Sequence, residues 1–160
     1  FQIRELLGVT AEYASACRLE VKRRDVAAAK TPEVQLRVAE LAAYFTNCNL
    51  QPLHLLLALK SAMMQTAKMK NFKTAAVFAH RLIEMDSVSA QKRPEISAKA
   101  RQVLQHCQTN PGDAIPMNYD ERNPFVLCNE EFVPIYKVSP LCPRLFPAPQ
   151  VSVPRSRCLN

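Results

Sequence analysis

Residues 51–64 read QPLHLLLALKSAMM, and their pattern decides the architecture. Proline stands where a helix begins, at the first helical position, where its missing N–H costs nothing and its fixed φ is already helical. The turns that follow, LHLLLALKSAMM, are apolar around most of the helical circumference. A helix of that kind is buried by neighbours on more than one side, so it predicts a central element inside a multi-helix body. The apolar run from Leu53 to Leu59 contains His54 and stops at Lys60, far short of the roughly 20 residues that span a bilayer.

Working outward, the flanking segments carry the partners this helix needs. Upstream, Ile3, Leu6, Leu7, Ala14, Cys17 and Val21 line one face of a first helix. Thr31-Pro32 then forms an N-cap followed by a first-turn proline. The helix it opens places Val34, Val38, Leu41, Phe45 and Cys48 at spacings of four and three. Downstream, Phe72, Ala75, Ala76, Ala79, Leu82 and Ile83 make a fourth stripe. Pro94 opens a fifth helix with Ile96, Ala100, Val103, Leu104 and Cys107 on one face, and Asn110-Pro111-Gly112 ends it. Short connections favour antiparallel neighbours. The small-residue pattern Ala75/Ala79/Leu82 is similar to the second helix of a tetratricopeptide repeat, although no second copy at that period is clear. The expected fold is mainly α, antiparallel helical hairpins forming a TPR-like solenoid end over residues 1–110.

Proline use changes beyond that point. Three of the twelve prolines (Pro32, Pro52, Pro94) precede residue 111 and the other nine lie at or beyond it, which excludes long helices from the last fifty residues. Residues 111–160 are expected to be a proline-rich irregular tail with a few short β-strands, packing on the body as part of the same domain. CNEEFVPIYKV (128–138) has the β-branched and aromatic content of a short strand, and Pro134 confines that strand to an edge.

The totals exclude several functions. Two glycines in 160 residues, Gly8 and Gly112, cannot build a Rossmann or P-loop phosphate cradle. No charged-then-apolar leader opens the chain, and a first residue of Phe1 points to a fragment or processed chain. The six cysteines lack close CxxC spacing in a chain large enough to fold without staples, so they read as reduced thiols of a cytosolic protein. Cys17, Cys48 and Cys107 fall on apolar stripes and are expected in the core. His106 and Cys107 are adjacent in sequence but about 100° apart on a helix, so they form no thiol–base pair. His54 and His80 lie off their stripes. Cys128, Cys142 and Cys158 lack the short knuckle of a structural zinc site and no histidine follows Cys107, so neither a metal nor any other cofactor is expected.

Net charge is +7, of which residues 50–109 hold +6, residues 1–49 hold +1 and residues 110–160 hold none. Lys68, Lys70 and Lys73, in KMKNFK, read as a solvated basic face or a dock for an acidic partner. The competing reading is a basic helical domain that binds nucleic acid or anionic phospholipid, which requires the lysines to share a face and binding to weaken steeply with salt. In MNYDERNPFVLC (117–128) a phenol, carboxylates, a guanidinium and a thiol crowd together. A cysteine-centred enzyme there needs Cys128 exposed beside a base. The stretch instead follows enforced turns, so Asp120 and Arg122 are expected to bond the tail to the helical body, with Tyr119, Phe125 and Tyr136 as aromatic anchors. No catalytic residue is assigned.

AAYFTNCNLQPLHLLLALKSAM (42–63), KMKNFKTAAVFAHRLIEM (68–85), and NPGDAIPMNYDERNPFVLC (110–128) with FVPIYK and CP beyond it closely resemble the C-terminal domain of the coatomer alpha-subunit family, over about Arg18 to Cys158. The resemblance implies a non-enzymatic module of the COPI coat, a cytosolic assembly recruited to Golgi membranes for retrograde transport to the endoplasmic reticulum and for intra-Golgi transport. It implies docking to the epsilon subunit, which is a tetratricopeptide protein, and association with other subunits such as beta-prime. The WD-repeat propellers that read dilysine cargo in that family lie outside this chain.

Overall fold

The computed structural model describes residues 2–29, 31–88, 92–128 and 130–136. It is mainly helical, with α1 (Gln2–Val26), α2 (Pro32–Phe45), α3 (Pro52–Lys68), α4 (Phe72–Val88), α5 (Pro94–Thr109), and two short strands, β1 (Phe125–Leu127) and β2 (Pro134–Tyr136). The chain divides into two compact units between Met117 and Asn118.

In the first unit each helix packs on the next, and α3 also reaches α5. The core is built as the apolar pattern requires. Leu56, Leu59, Ala62 and Met63 of α3 are almost wholly covered, as are Leu41 and Tyr44 of α2 and Phe78 and Leu82 of α4. Ala75, Ala79, Ala62 and Ala100 are sealed as well, small residues that let neighbouring helices approach closely. Each covered Leu, Met or Phe contributes roughly 1.5–3 kcal/mol of burial.

Helix ends follow from particular side chains. Thr31 caps α2, its hydroxyl accepting from the Val34 N–H, with Pro32 in the first turn. The C-terminal end of α2 is met by Arg81 of α4, whose guanidinium donates to the Thr46 carbonyl at 3.3 Å and its hydroxyl at 3.4 Å. A cation at a helix C-terminus also suits the dipole. Asp86 of α4 organises the start of α5, accepting from the Arg93 N–H at 2.7 Å and from the Ser97 hydroxyl.

Helix α3 ends in a left-handed turn. Lys70 has φ 62°, its N–H bonds Ala67 O, and the Asn71 N–H bonds Thr66 O. These two bonds form a Schellman motif with lysine where glycine is usual. Helix α4 then starts with a cap from far along the chain. Thr74 N–H and hydroxyl both donate to Asp113, at 3.0 and 2.7 Å, and the Phe72 N–H donates to Gly112 O. Asn71 stands at the N-cap position but uses its amide elsewhere, donating to Ile115 O at 2.8 Å and accepting from Ile115 N at 2.9 Å.

The second unit holds an antiparallel hairpin in the register Phe125↔Tyr136, Val126↔Ile135 and Leu127↔Pro134. Cys128 and Phe132 close its turn through Cys128 N to Val133 O and Phe132 N to Cys128 O, with Phe132 at φ 54°. Phe125 stacks edge-on against Tyr119 and Tyr136, ring centroids 6.3 and 5.5 Å apart.

Candidate functional site

The sequence places an apolar stripe on α1, and the structure leaves it uncovered. Ile3, Leu6 and Leu7 are 77, 67 and 65% exposed, and every residue from 2 to 11 lies open to solvent. Only Ala16 and Leu19 of this helix are buried. Cys17, expected in the core, is exposed, because it borders the open groove between α1 and α3 while Ala16 and Leu19 make the packed contact. Ten residues of helix extend about 15 Å.

Beside the covered part of α1 runs a groove of about 470 Å³. Its walls are the second half of α1, from Tyr13 to Arg24, and the first half of α3, from His54 to Ser61, with Ala42 and Phe45 of α2 as the floor. At one end Tyr13 Oη accepts from the Gln51 N–H at 3.2 Å, which leaves the hydroxyl proton for Nδ1 of His54 at 2.6 Å. At the other, Glu20 takes Arg23 at 2.7 Å and Arg24 at 2.9 Å, and those bonds hold its carboxyl below the usual range, the Arg23 hydrogen bond most strongly.

The three lysines singled out from sequence fall around one turn. Lys68 ends α3, Lys70 is the left-handed residue and Lys73 lies in the first turn of α4; none of the three is buried. Arg81, counted with them in the basic middle of the chain, is instead directed at the end of α2. Phe72 has its ring edge-on to His106, centroids 5.1 Å apart.

The residues singled out in the tail come together within the second unit. Tyr119, Phe125 and Tyr136 form the aromatic cluster. The Asp120 N–H donates to Tyr136 Oη at 3.1 Å, and the Asp120 carboxylate accepts from the Arg122 N–H at 3.0 Å. The start of the proline-rich segment is fastened to the helices by Asp113 on Thr74 and Ile115 on Asn71. Sequence reading missed this pair, taking NPGD as a turn and Asn71 as part of a lysine run. An Asn immediately before the first apolar residue of a helix is the one local signal it carried.

The surroundings of Cys48 and Cys107 work against forming a thiolate. Burial pushes the Cys48 thiol up to about 11, with Glu12 adding to the effect, and burial followed by Asp113 raises that of Cys107. Cys128 is buried rather than exposed, while Cys142 and Cys158 lie outside the described residues. Among the described residues no group of three or more His, Cys, Asp or Glu side chains is placed to hold a metal, and no helix is long and apolar enough to cross a membrane.

The family model for the C-terminus of the coatomer (COPI) alpha subunit matches residues 1–147. Coatomer subunit alpha of Dictyostelium discoideum is 42% identical over 147 residues, covering 89% of this chain and 12% of its own length. Coatomer subunit alpha-1 of Arabidopsis thaliana is 44% identical over 136 residues, covering 85% of this chain and 10% of its own. Coatomer subunit alpha of Saccharomyces cerevisiae is 34% identical over 136 residues, covering 85% and 11%. The chain thus spans about a tenth of the length of the curated relatives it matches.

Proposed function

The chain belongs to the coatomer (COPI) alpha family, as a member of its C-terminal domain, and on that premise we propose that it is a non-enzymatic scaffold module of a COPI vesicle coat that docks the epsilon subunit. Its place is cytoplasmic and peripheral at Golgi membranes, through the whole coat, in retrograde Golgi-to-ER and intra-Golgi transport. Other subunits, beta-prime among them, are its further neighbours.

The observation that carries this reading is the uncovered first half of α1. Ile3, Leu6 and Leu7 project from helical turns that lie open to solvent. Large apolar side chains grouped in this way mark a protein-docking surface. A stable partner would bury a standard interface of about 1,600 Å² in total. The tetratricopeptide nature of the epsilon subunit suits the site, because such repeats present a concave surface to an extended element.

The test is a pull-down of the cognate epsilon subunit on this chain and on a Leu6→Glu/Leu7→Glu variant. The parent chain is expected to retain the partner, and the variant to lose at least about tenfold in affinity, about 1.4 kcal/mol or more, with its melting temperature unchanged. Retention of the partner by both proteins would remove α1 from the interface.

A further inference from the structure

The turn between α3 and α4 carries charge that the chain itself leaves unused. Lys68 closes α3, Lys70 holds the left-handed position and Lys73 stands in the first turn of α4, all three open to solvent. Among the described residues none of them makes an ion pair. Helix α3 contains no acidic residue, and the first in α4 is Glu84, about three turns further on. Asp113 is brought to this turn, but it gives one carboxylate oxygen to the Thr74 N–H and the other to the Thr74 hydroxyl.

Lys70 is the most telling of the three. Glycine would hold its backbone conformation at lower cost. The turn is fixed through its main-chain atoms, the N–H on Ala67 O and the carbonyl accepting from the Ala114 N–H. A cation kept at a strained position where the fold needs only the backbone implies a use outside the fold.

The residues between the lysines narrow that use. Met69 and Asn71 are buried, Asn71 with both amide atoms engaged by Ile115, and the Phe72 ring stands edge-on to His106. KMKNFK therefore offers a partner three ammonium groups and no exposed apolar or aromatic side chain. Protein interfaces are centred on aromatic and aliphatic anchors and are depleted in lysine. Single-stranded nucleic acid requires aromatic platforms for its bases. Oriented, bidentate recognition of one phosphate favours arginine. Lysines alone at a helix–helix connection suit a broad field of negative charge that needs neither a pocket nor a fixed contact geometry. The anionic face of a lipid bilayer is such a field.

We propose that the Lys68/Lys70/Lys73 turn is a contact point for an anionic phospholipid surface, whatever partner α1 takes. Lipid-titrated flotation of the whole chain tests this, with vesicles of phosphatidylcholine containing about 30 mole per cent phosphatidylserine against phosphatidylcholine alone. Each lysine near such a surface is worth about fivefold in partitioning, so Lys68→Gln/Lys70→Gln/Lys73→Gln is expected to bind about a hundredfold more weakly. Added salt should weaken the parent chain as well. Lys60→Gln/Lys92→Gln/Lys99→Gln removes the same charge from exposed positions elsewhere and should lose less than about fivefold. Lys70→Gly should lose about fivefold in partitioning while its melting temperature rises, opposite movements that a damaged fold would not give. Equal losses from the two triple variants would assign the attraction to net charge and overturn the proposal. Binding of the parent chain to neutral vesicles as strong as to anionic ones, or Lys70→Gly that binds like the parent, would do the same. So would tighter binding to polyglutamate or duplex RNA than to the anionic vesicles, since the turn would then serve another macromolecule.

Discussion

At Lys70 the backbone takes a conformation in which an L side chain crowds its own carbonyl, at a cost of roughly 1 kcal/mol that glycine avoids. The surrounding bonds, Lys70 N to Ala67 O, Asn71 N to Thr66 O and Ala114 N to Lys70 O, hold it there. Lys70→Gly is therefore expected to raise the stability of the folded chain by about 0.5–1 kcal/mol in urea unfolding, while removing one charge of the Lys68/Lys70/Lys73 turn. Asn71→Ala acts in the opposite sense. It strips both bonds to Ile115 from a site with no solvent access, so a loss of about 2 kcal/mol is expected by the same measurement. Asp86 gives the pH dependence. The Ser97 hydroxyl, and next the Arg93 N–H, hold its carboxyl below the ordinary value. A folded-state value below the unfolded one supplies stability that is fully present above about pH 4 and is lost as pH falls through the folded value. Asp86→Asn should lower the melting temperature at pH 7 and flatten the acid limb of stability against pH; an unchanged acid limb would assign that limb to other carboxylates.

At the level of elements, α1 makes a kinetic prediction. Amides of residues 2–11 should exchange with solvent quickly in the isolated chain and slow markedly on binding the epsilon subunit, while those of α3 stay protected in both states. The hairpin carries a further one. Phe125 is half-buried between Tyr119 and Tyr136 rather than sealed in a core, so Phe125→Ala is expected to cost about 1–2 kcal/mol, below the roughly 3–5 kcal/mol of a fully buried ring. These elements also show what a sequence carries. Helix α3 was legible because its apolar residues surround the axis and Pro52 marks its start, both local facts. Ala75, Ala79 and Leu82 were legible for the same reason. The fate of the α1 stripe was not. Periodicity shows that Leu6, Leu7 and Cys17 share a face, but whether the body reaches that face depends on how α1 leans against α2. The tether was hidden for another reason, since Asp113 meets Thr74 across 39 residues and Asn71 meets Ile115 across 44. No local pattern encodes a cap delivered from that distance.

For the whole molecule, the place where the helical unit ends has an energetic consequence. Sequence reading sets the end of the helices at residue 110, where Asn110-Pro111-Gly112 stops α5. The compact unit runs further, to Met117, because residues 112–115 lie against the start of α4. Removing everything after residue 117 keeps the Gly112, Asp113 and Ile115 bonds. Removing everything after residue 110 strips the cap from α4, reopens two of its first N–H groups and leaves the buried Asn71 amide without Ile115. A lost cap costs about 1 kcal/mol, and the remaining bonds add roughly 1–3 kcal/mol where the abandoned group stays buried. The 1–110 chain is thus expected to be about 2–4 kcal/mol less stable than the 1–117 chain in urea unfolding, with Thr74→Ala narrowing the gap because it removes part of the same cap from the longer chain. Equal stability of the two truncations would mean that α4 holds its own N-terminus and that Asp113 is only a passenger on it.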